Sequence, residues 1–211
     1  MTDQSLITSL FEIAILVMSV VIHEVSHGFT AYALGDSTAK YAGRLTLNPI
    51  PHIDPFGSIF LPLVMALLPG GLVFGYAKPV PYNPYNLRNQ KWGPALVALA
   101  GPVSNIFIAL VFGLVIRFQS LLPFMVPAAF LELSFYIITL NLVLAVFNLV
   151  PIPPLDGSKV LFMFLPYHMG HIQRFLEQYG FFLLLIFIFF FFKLLFPIIG
   201  ILFYVFTGVS L

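Results

Sequence analysis

Long hydrophobic blocks dominate the chain, in place of the alternating or three-to-four-residue patterns of soluble proteins. Five blocks are separated by polar segments: 6–34, 55–77, 92–116, 133–155 and 179–211. A helix needs about 20 mostly apolar residues to cross a bilayer, and each block reaches that length. Within the blocks, charged and histidine side chains are confined to Glu12, a cluster at 23–27 and Lys193. The pattern predicts an all-α polytopic membrane protein.

Four of the blocks are predicted to be full transmembrane helices, and 55–77 is predicted to be a re-entrant hydrophobic segment. Pro69, Gly70 and Gly71 lie inside that block and favour a turn, which a membrane tolerates where protein or water satisfies the freed backbone. The segment 40–47 is predicted to form a short membrane-associated β element. We expect a single membrane-embedded domain over residues 1–211.

The composition narrows the function further. Of the 211 residues, 60% are hydrophobic and 8% are charged, whereas a soluble domain carries about 25% charged residues. A formal net charge of +1 gives no basic surface for nucleic acid. The chain has no cysteine, so thiolate catalysis and cysteine-type zinc sites are excluded. Any metal ion must be held by His, Asp or Glu.

The sharpest candidate site is the run His23-Glu24-Val25-Ser26-His27 in the first block. Positions four apart share one face of a helix, so both imidazoles can reach one zinc ion. Glu24 lies beside them, where it can take a proton from a water made acidic by the metal and pass it to a leaving amine. Two histidines lining a helix interface would be the alternative. Three ionisable groups on one turn of an apolar helix favour the metal site.

A tetrahedral zinc site of this type needs a third protein ligand and an open position for water. The downstream candidates are Asp36, His52, Asp54 and Asp156. Asp156 follows two prolines and could also be the N-cap of the next helix. Asp54 is the rival ligand, although it equally suits the start of the re-entrant segment.

The basic residues predict how the protein is oriented. Seven of them fall on the side of the membrane to which the site opens: Lys40, Arg44, Lys78, Arg88, Lys91, Lys159 and Arg174. Arg117 falls on the opposite side. Because cytoplasmic loops are enriched in Lys and Arg, we expect a multi-pass protein of the cell membrane with its site open to the cytoplasm and its N-terminus outside.

Several spaced motifs resemble the site-2 protease family of intramembrane zinc metalloproteases. They are the HEVSH run at 23–27, GPVSN at 101–105 and NLVPIPPLDG at 148–157. The runs NPIPHIDP at 48–55 and GYAKPVPYN at 75–83 are similar to the short members of that family, which lack PDZ and CBS domains. The likeness covers about 15–160 and is far more specific than the first motif alone.

The resemblance implies regulated intramembrane proteolysis, in which a peptide bond within or near a transmembrane helix of a membrane-protein substrate is hydrolysed. It implies one Zn²⁺ per chain held by His23, His27 and Asp156. It also implies that Glu24 is the catalytic base and that Asn148 donates a hydrogen bond to the substrate or to the oxyanion.

Other polar residues are candidates for supporting roles. Gly101 and Asn105 lie four residues apart, a spacing that allows close helix packing around the metal-binding helix. Asn105 and His52 are candidate polar groups behind the metal ligands. Thr46, in the predicted β element, is a candidate substrate contact through added-strand pairing.

Two other functions compete with the protease. A divalent metal transporter would use His23, His27 and Asp156 as a transit site, but it needs a polar path to both faces, and the acids and histidines concentrate on one. A non-catalytic homologue that binds membrane proteins is the second alternative, and the intact Glu24 argues against it.

Overall fold

The fold is given by a computed structural model, which describes residues 3–60, 77–121 and 125–211. The α-helices are α1 (Asp3–Ala33), α2 (Thr38–Tyr41), α3 (Gly93–Arg117), α4 (Ala128–Asn148), α5 (Gly157–Phe164), α6 (Gly170–Ile186) and α7 (Leu195–Thr207). Short 3-10 helices lie at Ile50–His52, Pro84–Asn86, Gln119–Leu121, Tyr167–Met169 and Phe192–Leu194. Two π-helical turns lie at Pro55–Phe60 and Phe187–Phe191.

Four helices in the described part of the chain are long and apolar enough to cross a membrane. They are Ile7–Ala33, Gly93–Arg117, Ala128–Asn148 and the continuous helical segment Gly170–Thr207. The all-α prediction and the four predicted spans are therefore confirmed, and the chain is a multi-pass membrane protein. The last segment has 38 residues, which amounts to about 57 Å of helix and exceeds the bilayer core.

Helix α3 is the centre of the bundle and contacts α1, α4, α5 and α7. Gly101, Asn105, Ala109 and Gly113 recur every four residues along its buried face. Without large side chains on that face, neighbouring helices approach closely, and packing and hydrogen bonds replace the hydrophobic effect as the force between helices in lipid. Apolar packing between α3, α4 and α7 includes Ile138, Leu142 and Phe203, each at most 2% exposed.

The third span begins before its charge-free stretch and ends before the prolines. Helix α4 begins at Ala128, five residues before the stretch 133–155, and it ends at Asn148. Pro151, Pro153 and Pro154 lack the backbone N–H that a helix interior requires, so the last seven residues of the stretch form a loop. That loop packs against α6, where Gly180 leaves room for the carbonyl of Pro153.

The predicted β element over 40–47 is not confirmed. Helix α2 includes Lys40 and Tyr41, and a turn with Gly43 at φ +66° follows it. Bends continue to Leu47, and the described residues contain no strand. Extended backbone is excluded here because Gly43 N–H and Arg44 N–H bond back to the carbonyls of Lys40 and Ala39. Most of the predicted re-entrant segment, 61–76, lies outside the described residues.

Candidate metal centre

His23, His27 and Asp156 meet on the buried side of α1. The histidines lie one turn apart on the helix, and the carboxylate comes from the loop that precedes α5. Asp156 Oδ2 lies 3.1 Å from His23 Nε2 and 3.4 Å from His27 Nε2. One potential ligand atom from each residue falls within 4.8 Å of the other two. Of the four candidates for the third ligand, Asp156 is the one in this group.

The far nitrogen of each imidazole is held by an oxygen acceptor. His23 Nδ1–H donates to Asn105 Oδ1 at 2.6 Å, and His27 Nδ1–H donates to the carbonyl of Val97 at 2.7 Å. An amide or peptide oxygen can only accept, so each neutral ring carries its proton on Nδ1 and presents a lone pair at Nε2. This arrangement is typical of metal-binding histidines, whose orientation and tautomer are set by the second ring nitrogen.

The donor set fits a divalent cation such as zinc. Two imidazole nitrogens and a carboxylate oxygen converge on one point, and they form a donor set that zinc takes. Gly101 of α3 leaves the space: a Cβ there would lie 2.5 Å from both Nε2 atoms. The site therefore combines three suitable ligand atoms with a cavity that any side chain at position 101 would fill.

Asp156 is positioned by backbone constraints rather than by capping. It occupies the N-cap position of α5, but its side chain makes no capping hydrogen bond. The next residue, Gly157, packs directly on the carbonyl of Leu149, so only glycine fits there. The carboxylate is thus left free of the helix end and faces the two histidines.

A buried chain of polar groups continues from His23 into the middle of the bundle. Asn105 Nδ2 donates to Asn141 Oδ1 at 2.8 Å, and Asn141 Nδ2 donates to Ser19 Oγ at 3.0 Å. Both amides are fully buried, and Ser19 is 4% exposed. Because the amide hydrogens of Asn105 point at Asn141, its oxygen must face His23. The hydrogen bonds of this buried series therefore determine that Asn105 Oδ1 faces the imidazole of His23.

Glu24 is held from the other side of α1. Its Oε2 accepts the backbone N–H of Val80 at 2.9 Å. Two residues earlier, the backbone N–H of Lys78 donates to the carbonyl of His52. The carbonyl of Lys78 accepts a hydrogen bond from Arg44 Nη2. The extended segment 77–83 thus lies against the metal-binding helix, and the half-buried carboxylate of Glu24 is oriented by that segment.

Asp36 joins the end of α1 to the same segment. Its carboxylate is fully buried and accepts hydrogen bonds from Thr38, Asn83 and Asn86. Burial raises the pKa of this carboxyl, but the hydrogen bonds from Thr38, Asn86 and Asn83 outweigh burial and hold the pKa below its usual value. Asp36 is therefore a structural residue of the loop and not a ligand.

The two remaining ligand candidates have loop contacts of their own. Asp54 Oδ1 accepts the N–H groups of Phe56 and Gly57, at the start of the π-helical turn Pro55–Phe60. His52 is 2% exposed. Its Nε2–H donates to the carbonyl of Thr46, and its Nδ1 faces Arg44 Nη2 at 3.4 Å. These contacts place His52 behind the segment 77–83, away from the ligand group.

The two candidate substrate contacts are engaged within the protein. Asn148 is the last residue of α4, and its Nδ2 donates to the carbonyl of Leu144 on the same helix. The carbonyl of Thr46 accepts His52, and its hydroxyl accepts the N–H of Asn48. Neither side chain contacts the ligand group in the described structure.

The sequence analysis missed Ser19, Val80 and the carbonyl of Val97. Ser19 lies four residues before His23, on the same face of α1, and that spacing was the available signal. The contacts of Val80 and Val97 involve backbone atoms, which every residue type has, so the sequence cannot predict them.

Comparison with known proteins gives a peptidase family and relatives named as putative zinc metalloproteases. The family model of peptidase family M50 matches residues 123–191, a stretch that contains Asn148 and Asp156. The chain is 40% identical over 175 residues to "Putative zinc metalloprotease YwhC" of Bacillus subtilis, covering 81% of this chain and 76% of that relative. It is 34% identical over 145 residues to "Putative zinc metalloprotease Rip2" of Mycolicibacterium smegmatis. That match covers 68% of this chain and 53% of the relative, so the chain spans about half of Rip2. No solved structure matches the chain.

Proposed function

Because the chain belongs to peptidase family M50, the site-2 protease family, we propose that it is an intramembrane zinc endopeptidase. It hydrolyses peptide bonds within or next to the transmembrane segments of membrane-protein substrates. The observation that carries this proposal is the meeting of His23, His27 and Asp156 beside the carboxylate of Glu24. A transporter needs ligands but no base, and Glu24 is positioned as a base.

His23 Nε2, His27 Nε2 and Asp156 Oδ2 would hold the zinc ion. When bound, zinc polarises the scissile carbonyl and lowers the pKa of a water molecule to about 7. Asn105 and Val97 keep both imidazoles in the tautomer that this binding requires. Gly101 keeps the binding space open.

Glu24 acts as the general base and then as the general acid. Its Oε2 is bound by Val80 N–H, which leaves Oε1 to take a proton from the attacking water. The same carboxyl then delivers the proton to the leaving amine, so one residue serves both halves of the reaction. Asn148 releases the carbonyl of Leu144 and donates its Nδ2–H to the developing oxyanion.

The depth of the centre sets a requirement on the substrate. His27 lies six residues before the end of α1 at Ala33, which is about 9 Å of helix. A substrate helix must unwind to present a peptide bond there, because helical backbone groups are already hydrogen-bonded to each other. The polar segments 34–54 and 77–92 supply the water-accessible surface next to the centre.

We further propose that the centre opens to the cytoplasm from the cell membrane. The loops that surround it carry Lys40, Arg44, Lys78, Arg88, Lys91 and Lys159, whereas the loop after α3 follows Arg117. This distribution follows the positive-inside rule for short loops. The N-terminus then lies outside.

The decisive experiment compares wild type with Glu24→Gln after purification in detergent or nanodiscs. Zinc content is measured for both proteins, and each is incubated with a panel of single-span membrane substrates. We expect equal zinc in the two proteins and a loss of at least about a hundredfold in kcat for Glu24→Gln, because the base is gone while the ligands remain.

Two outcomes would contradict the proposal. Cleavage by Glu24→Gln at the wild-type rate would rule out Glu24 as the base. Zinc flux into sealed proteoliposomes without cleavage of any substrate would support the transporter. His23→Ala is the matched control, because it should lose both zinc and cleavage.

A further inference from the structure

A cavity of about 900 Å³ opens beside the metal centre, between the loop 82–94 and the corner formed by α5 and α6. One wall includes Tyr82, Lys91 and Pro94, and the other includes Lys159 and Gln173. Both polar and aromatic side chains line it. Its volume lies in the range of sites that enclose a ligand of several hundred daltons.

Three wall residues lie close in sequence to groups of the metal centre. Tyr82 follows Val80, which binds Glu24; Lys159 lies one helical turn after Asp156, to whose carbonyl its N–H donates. Pro94 lies one turn before Val97, which binds His27. The elements that hold the base and the ligands therefore continue directly into the cavity walls.

Tyr82 and Lys159 relate the cavity wall to the carboxylate ligand. The backbone N–H of Lys159 donates to the carbonyl of Asp156 at 2.9 Å. Burial raises the pKa of the Tyr82 hydroxyl, and the negative charge of Asp156 raises it further. The cavity wall therefore adjoins the elements that hold the centre, on the proposed cytoplasmic side.

The charge inside the cavity is positive. Lys91 and Lys159 come from opposite walls, and neither forms an ion pair with an acidic residue in the described part of the chain. Lys159 Nζ lies 5.5 Å from the centroid of the Phe162 ring. Glu177 lies on α6 and accepts a hydrogen bond from Gln173 Nε2. Two lysines against one glutamate leave a net charge of +1 for an occupant to neutralise.

We infer that this cavity binds the segment of the substrate polypeptide that leaves the scissile bond toward the cytoplasm, and that it selects an acidic residue in that segment. The inference rests on the proposed protease function. The cavity adjoins the metal centre, and this favours a polypeptide as its occupant. A substrate polypeptide that is held at the centre must continue into water through an adjoining opening. An acidic side chain there would pair with Lys91 and Lys159 together.

The first test measures cleavage of single-span substrates that differ only in the cytoplasmic flank, which carries aspartate, asparagine or lysine. We expect wild type to prefer aspartate through KM, with kcat little changed. Lys91→Gln and Lys159→Gln should each raise KM for the aspartate flank roughly threefold, and the double variant about tenfold. Arg88→Gln, an exposed basic residue of the same loop outside the cavity wall, should leave KM unchanged.

The second test detects occupancy without catalysis. Since the chain has no cysteine, a single one can be placed at Gln173 in the cavity or at His168 outside it, each in the Glu24→Gln background. A substrate with one cysteine in its cytoplasmic flank should form a disulfide with the Gln173→Cys protein at least several-fold faster. An excess of a soluble acidic peptide of the same flank sequence should reduce that cross-link.

The outcomes separate this inference from the proposed function. Cleavage that is indifferent to flank charge, together with equal cross-linking at 168 and 173, would overturn the subsite and leave the protease standing. A different result would be that the effect of the lysine substitutions on KM depends on the anionic lipid content of the nanodisc and not on the flank charge. That result would assign the cavity to a lipid headgroup and overturn the inference. Absence of cleavage of every substrate, with cross-linking intact, would contradict the protease alone.

Discussion

At the scale of single residues, the centre depends on buried groups whose hydrogen bonds fix their orientation. Each Nδ1 faces an oxygen that can only accept, and each Nε2 faces the space above Gly101. The buried amides of Asn105 and Asn141 are oriented by their own hydrogen bonds. Because these groups hold the histidines in place, we expect a substitution behind the proposed ligands to alter metal binding even when the ligands are unchanged.

Gly101→Ala should abolish metal binding. The added Cβ would lie 2.5 Å from His23 Nε2 and His27 Nε2, closer than non-bonded atoms approach, so the ligands must move apart. We expect zinc content below about a tenth of wild type, as measured by mass spectrometry of the purified protein. Gly200→Ala is the control, because a Cβ at that position meets nothing within 4 Å. Normal zinc in Gly101→Ala would show that the ion binds elsewhere.

Asn141→Leu should weaken zinc binding although Asn141 is not a ligand. The substitution removes Asn141 Oδ1, the nearer acceptor of Asn105 Nδ2, and leaves the 3.4 Å contact with the carbonyl of Ser19 to keep the oxygen of Asn105 toward His23. We expect the zinc dissociation constant to rise roughly tenfold to a hundredfold in a chelator competition, the range found for groups behind metal ligands.

Ser134→Ala provides the matched control for that prediction. Ser134 is also fully buried on α4, but its hydroxyl bonds only to the carbonyl of Phe130 in its own helix. Its zinc affinity should equal that of wild type. If Asn141→Leu also bound zinc with wild-type affinity, Asn105 would keep its orientation without the hydrogen bond to Asn141.

At the scale of elements, the extended segment 77–83 connects the loop after α1 to Glu24, the proposed base. It is attached at Lys78 by Arg44 and His52, at Val80 by Glu24, and at Asn83 by Asp36. Two prolines, Pro79 and Pro81, remove N–H donors that would otherwise need partners. The position of Glu24 therefore depends on residues up to 59 positions away in sequence.

Asp36→Asn should impair catalysis and change the response to acid. The pKa of Asp36 is lowered in the folded protein, so its contribution to stability is complete above the unfolded value near 3.8 and is lost as pH falls through the lower folded pKa. In wild type the emission of Trp92, the single tryptophan, should therefore change below about pH 4 as the loop detaches.

In Asp36→Asn one oxygen becomes an amide that cannot accept Asn83 N–H. We expect this acid transition to be smaller in the variant, and kcat at pH 7 to fall severalfold with normal zinc content. An identical acid transition in both proteins would assign it to another carboxyl group.

The sequence predicted the helices and the residues that meet at the centre better than it predicted the helix boundaries and the groups that support the centre. Charged and histidine side chains are so scarce in the blocks that His23, Glu24 and His27 stood out at once. The start of α4 at Ala128 lies before the charge-free stretch because Glu132 is inside the helix, where absence of charge does not predict it. The β element is not confirmed because the sequence at 40–47 does not reveal the turn that Gly43 closes. Backbone contacts such as Val80 to Glu24 depend on the assembled fold.

At the scale of the whole molecule, the bundle is organised so that its two ends differ. The ligands, the base, the cavity and most of the cationic loops lie at one end, and the short loop after α3 lies at the other. Lipid-facing phenylalanines such as Phe107, Phe181 and Phe190 are exposed between the ends. This polarity is the basis for the proposed orientation.

Cysteine labelling should reveal that orientation directly. In intact cells an impermeant maleimide should label Ser120→Cys, in the exposed turn after α3, and should label His168→Cys only after permeabilisation. The wild-type chain, which has no cysteine, gives the background. The opposite labelling pattern would place the centre on the outer side.

The distance in sequence between the ligands has a consequence for synthesis. His23 and Asp156 are separated by 133 residues, and Asn105 and Asn141 lie between them. At roughly 5–20 residues per second, the ribosome needs about 7–27 s to supply the last ligand after the first. During that time α1 carries two histidines and a glutamate into the membrane without their partners. Under the proposed function, the nascent chain has no complete centre until the loop after its third span is made, so it would not cut other membrane proteins being inserted beside it.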